Sequence, residues 1–115
     1  MARILIKAKK VEMAATLNES ATAKKLMDAL PIESKARLWG KEVYFEIPIH
    51  MDADDAQAKV PSGTVAFWPP GNCLCLFFGQ RPASQVNVVG TIDGDPHVLA
   101  RVRDGAAATV AMLEE

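Results

Sequence analysis

GTVAFWPPGNCLCLFFG, residues 63–79, holds both cysteines of the chain and decides how the rest is read. GTVAFW reads as a strand, PPGN as a turn and CLCLFFG as a second strand. Pro69 and Pro70 remove two backbone donors, so their segment cannot be paired in a sheet interior. A rigid turn at the end of a hairpin fits. CLCLFFG is apolar at successive positions, so both of its faces require burial. That suits a central or barrel strand rather than a solvated edge. Cys73 and Cys75 are two apart and share a face. Neighbouring positions on one strand are poor geometry for a disulfide, and a lone Cys-x-Cys is a weak metal signal. Both read as small buried hydrophobes of the hairpin.

Outward from this hairpin, period-2 patterns recur. RILIKA (3–8) and VEMAATL (11–17) alternate, and a hairpin through Lys9 and Lys10 would pair them. KARLW (35–39) and KEVYFEIPI (41–49) flank a turn at Gly40. In the second, Val43, Phe45 and Ile47 oppose Glu42, Tyr44 and Glu46, which reads as a core face and a solvent face. Residues 51–62 are polar and acidic and read as a surface loop. QVNVVGTI (85–92) and ATVAML (108–113) read as further strands, and HVLARV (97–102) as a strand or a helical turn. One segment changes period. Ala23, Leu26, Met27 and Leu30 form a helical stripe, with Asn18 or Ser20 as cap and Pro31 as stop. The expected fold is mainly β, a single domain over 1–115, with about eight strands in a closed barrel and one helix at about 20–30.

Charge narrows the function. Thirteen basic and 14 acidic side chains leave a net charge of −1, with no broad attraction for nucleic acid or anionic membrane. The longest apolar run near the centre is Cys73–Phe78, far short of the ~20 residues of a spanning helix. MARILIKAKK lacks the apolar stretch and cleavage site of a secretory signal, so a cytoplasmic location is expected. His50 and His97 stand alone, without metal-ligand spacing, and no metal or cofactor is expected. No phosphate loop or nucleophile elbow is present, and Ser84 has no adjacent base.

Three stretches, YFEIP (44–48), 63–79, and RPAS with VNVVGTI (81–92), together resemble the small prokaryotic cyclophilin-like family. In that family a glycine-led strand ends in a Trp-Pro turn and the next strand ends in Phe-Phe-Gly. A Pro-x-Ser and a glycine-containing strand follow. Here these are Trp68, Pro69, Gly71, Phe77, Phe78, Gly79, Pro82, Ser84 and Gly90, and the match runs over nearly the whole chain. The resemblance implies a compact cyclophilin-like barrel with a helix closing one end. True cyclophilins are prolyl isomerases with an Arg and a Phe-Met-x-Gln-Gly-Gly stretch. This chain departs from that pattern, because Phe67 is followed by Trp68-Pro69-Pro70.

Candidate chemistry gathers at the ends of the hairpin, since barrel sites tend to lie at rims. Prolyl isomerisation needs an apolar slot and a donor near the amide nitrogen. Arg81, just after Phe77-Phe78-Gly79, is the candidate catalytic residue. Candidate ligand-binding residues are Tyr44, Glu46, Phe67, Trp68, Asn72, Phe78, Gln80 and Asn87. The indole N–H of Trp68 would serve as a donor. Asn87, inside an apolar strand, needs partners from backbone or ligand. The expected function is binding of a peptide or small molecule in a rim groove. A divergent prolyl isomerase and a protein-interaction module are the alternatives. The oligomeric state is left open.

Overall fold

The computed structural model describes residues 2–113. Nine strands form one antiparallel sheet that curls into a nearly closed barrel. In chain order they are β1 (Arg3–Ala8), β2 (Val11–Leu17), β3 (Ile32–Lys35), β4 (Arg37–Trp39), β5 (Glu42–Glu46), β6 (Thr64–Trp68), β7 (Cys73–Phe77), β8 (Asn87–Ile92) and β9 (Ala107–Met112), with helix α1 (Ala21–Ala29) between β2 and β3. The spatial order is β3-β9-β1-β2-β8-β6-β7-β5-β4. Strand β8 thus joins two four-stranded halves. Where the two edges of the sheet approach, the Ser34 hydroxyl donates to the Glu46 carbonyl at 2.6 Å, linking β3 to β5.

The expected hairpins form. Ala8 pairs with Val11 across Lys9-Lys10, with Lys9 at φ 55°. Trp39 pairs with Glu42 across Gly40-Lys41. The Pro69–Gly71 segment is a 3-10 turn, and Asn72 closes it in the left-handed region at φ 53°. The count is nine rather than about eight, because Ile32–Lys35 makes its own strand against β9 before β4 begins. Of the two readings of HVLARV, the helical turn is the one that forms. Pro96–Arg101 is a 3-10 helix whose start is capped by the Asp95 carboxylate, and Leu99 is its buried anchor.

In α1, the Ser20 hydroxyl accepts from the Ala23 N–H at 3.1 Å, which satisfies one free donor of the first turn. Ala23 and Leu26 are buried, and Met27 and Leu30 pack partly against the core. Inside the barrel, Ile4, Ile6, Phe45, Val65, Phe67, Leu74, Leu76 and Val110 belong to one apolar cluster.

A second, smaller cluster lies on the other face of the same strands. Ala66, Cys73, Cys75, Phe77 and Val86 form it, with Tyr44, Val60 and Trp68 packed against them. This explains the doubly apolar CLCLF strand. Leu74 and Leu76 point into the barrel, while Cys73, Cys75 and Phe77 point outward into the second cluster with Val60, Trp68 and Val86.

Candidate functional site

A pocket of about 230 Å³ opens on the outer cluster. Its floor is the outward face of β5 and β7, with Glu42, Tyr44, Cys75 and Phe77. Trp39 and Trp68 stand at its sides, and Pro82, Ala83 and Val86 of the following loop face them. Register sets the floor. Glu42 pairs with Trp39 on β4 and with Phe77 on β7, so the three stand in one row across three strands. The next row places Tyr44 between Arg37 and Cys75.

The walls are fixed from the turn and the loop. The Trp68 indole N–H donates to the Ser84 hydroxyl at 2.6 Å, tying β6 to the loop. A Cβ on Gly71 would lie 2.6 Å from the Trp68 ring, so only glycine lets the indole fold back over this turn. At the exit of β7, Gln80 accepts from the Lys41 N–H at 2.9 Å, and the Phe78 N–H donates to the Lys41 carbonyl at 3.0 Å.

Glu42 is the charge-bearing group of the pocket. Its residue is only 6% exposed, and its Oε1 has no hydrogen-bond partner. Among the described residues no ion pair reaches it. Burial pushes its carboxyl above the ordinary 4.5, and a hydrogen bond from the Cys75 thiol offsets part of that rise. Burial also pushes both thiols up, Cys75 the further, with the charge of Glu42 adding to it. Both cysteines are free and buried. As neutral thiols they are lining, not nucleophiles.

The structure divides the residues singled out from the sequence. Tyr44 and Trp68 meet in the pocket. The Trp68 N–H is already engaged by Ser84, so it is not the free donor expected. Phe67 and Phe78 are buried in the barrel core instead. Side chains alternate along a strand, so Trp68 outward puts Phe67 inward, and Phe77 outward puts Phe78 inward. Glu46 is exposed and borders a neighbouring hollow of about 360 Å³ with Ser34, Arg37, Tyr44 and Cys73. Asn72 Oδ1 accepts from the His50 ring at 3.2 Å in the tautomer that carries the proton on Nδ1.

Asn87 is fully buried and fully used by the protein. Its Oδ1 accepts from the Asp54 N–H, and its Nδ2 donates to the Asp52 carbonyl and the Thr22 hydroxyl. Arg81 is exposed and lines none of the described pockets. Glu42, Trp39, Phe77 and Val86 were not anticipated. One signal for two of them was present, since a two-residue turn at Gly40-Lys41 puts Trp39 opposite Glu42. Among the described residues no three His, Cys, Asp or Glu side chains gather as metal ligands, and no helix is long and apolar enough to cross a membrane.

Comparison with known proteins agrees with this architecture. No curated protein sequence matches the chain. The solution structure of the hypothetical protein AF2241 from Archaeoglobus fulgidus superposes with a TM-score of 0.85 and 35% identity, covering 97% of this chain and 95% of that one. The structure of McbB in complex with tryptophan superposes with a TM-score of 0.75 and 18% identity. It covers 97% of this chain and 45% of McbB, a likeness of fold alone. The sequence model described as Cyclophilin-like matches residues 2–111, and the chain therefore belongs to the cyclophilin-like family.

Proposed function

We propose that the protein binds a compact, largely apolar small molecule in the pocket between the outer face of β5–β7 and the 79–86 loop. The observation that carries this reading is a walled hollow whose sides are aromatic and whose loop is held by Trp68 and Ser84. At about 230 Å³ it lies just under the ~300 Å³ at which drug-sized sites begin. A ring with a short side chain fits this size, and a folded partner surface does not. McbB, 45% of which shares the fold, is solved in complex with tryptophan, which is in keeping with this reading. A prolyl isomerase built on Arg81 would need that side chain in the groove, and it stands outside the pocket.

Both tryptophans of the chain border the pocket, so their fluorescence reports occupancy. Titration with 2-phenylethanol is expected to change it saturably. Ala83→Phe, at the exposed mouth, should weaken binding at least tenfold and leave thermal unfolding unchanged. Binding that is indifferent to Ala83→Phe would reject the pocket.

A further inference from the structure

We infer that the pocket selects an organic ammonium ion, a small amine with a flat apolar body, and that Glu42 is the group that receives its N–H. This inference rests on the small-molecule reading above and names the class of ligand.

The first ground is an unmade bond. A buried carboxyl oxygen without a partner is a costly feature, and folded proteins leave few of them. Glu42 Oε1 is such an atom, and its side chain lines the pocket floor. A donor brought to this carboxyl from the pocket side would relieve that cost, and a charged N–H makes the stronger bond.

The second ground is the surroundings. Trp39 and Phe77 flank Glu42 in its own row, and Tyr44 and Trp68 border the same hollow. Aromatic faces attract a cation and give little to an anion. No lysine or arginine lines this pocket, so nothing in it would offset the charge of a carboxylate or phosphate ligand. A positive ligand would neutralise the buried carboxylate, where a neutral one leaves it isolated.

Three probes of equal body separate the outcomes: phenethylamine, 2-phenylethanol and 3-phenylpropanoate, titrated by tryptophan fluorescence at pH 8. The wild type should bind phenethylamine at least tenfold more tightly than 2-phenylethanol, and 3-phenylpropanoate most weakly. Glu42→Gln should erase the preference for the amine, while Ala83→Phe should weaken both amine and alcohol and so report the same pocket. Equal binding of amine and alcohol by the wild type, sensitive to Ala83→Phe, would overturn the ammonium inference and leave the pocket standing. A preference for the amine that survives in Glu42→Gln would also overturn it. If no probe binds, both readings fall.

Discussion

Glu42 stands on a strand between two aromatic side chains, with an oxygen that bonds to nothing in the protein. Its burial raises the carboxyl above 4.5, and the sign of the consequence is definite. The folded state holds the proton more tightly than the unfolded chain does. Stability from this group is therefore complete below about pH 4.5 and falls as pH rises through the window from 4.5 to the raised folded value. Glu42→Gln removes that dependence. The variant should match the wild type at pH 4 and be more stable at pH 8, by about 1 kcal/mol if the relief resembles an ordinary unsatisfied buried group. Urea unfolding at the two pH values measures it. A variant less stable than wild type at pH 8 would mean that the carboxylate is paired after all.

Asn87 couples three elements. Through it, β8 holds the backbone of residues 52–54, and its amide reaches the Thr22 hydroxyl at the start of α1. Thr22 in turn donates to the Asp54 carboxylate at 2.9 Å. The acidic loop is thus anchored near its start by a buried amide, in addition to the packing of Met51 and Val60 and the Gln57–Val86 bridge. Asn87→Ala should cost about 2–3 kcal/mol, because it removes three hydrogen bonds and strands the buried Thr22 hydroxyl and the part-buried Asp54 N–H and Asp52 carbonyl. Amide exchange should accelerate at residues 52–57 first and leave β1 and β9 protected. Uniform acceleration across the barrel would argue against a local anchor.

The whole molecule depends on β8, the strand between two four-stranded halves. Leu17 pairs with Gly90 on one side and Val65 pairs with it on the other, and the β6 register shifts next to it. A Cβ on Gly90 would run into the Thr16 carbonyl oxygen, which is backbone and cannot swing away. Gly90→Ala should therefore cost about 3 kcal/mol, the upper end for overpacking, and should appear as a lower urea midpoint. An unchanged midpoint would show that the seam between the halves can open without loss.

Most of the architecture was legible along the chain, for local reasons. Alternation identified the hairpins at 3–17 and 63–79, the i, i+3, i+4, i+7 stripe identified the helix, and the doubly apolar CLCLF run required burial on both sides. Strand β3 was not separable, because IESK has only Ile32 buried and gains its identity by pairing with β9. The Gly40 turn even put Trp39 across from Glu42. What the chain alone could not decide was which polar residue of an alternating strand meets solvent. Glu42, Tyr44 and Glu46 share a face by period, yet only Glu46 is exposed. Cover is supplied by residues 82–86, some forty positions away in sequence. Glu42 becomes a buried acid with one oxygen unpartnered only when β4, β7 and that loop close around it. Periodicity is a property of neighbours along the chain and sets the elements; desolvation depends on neighbours in space and sets the site.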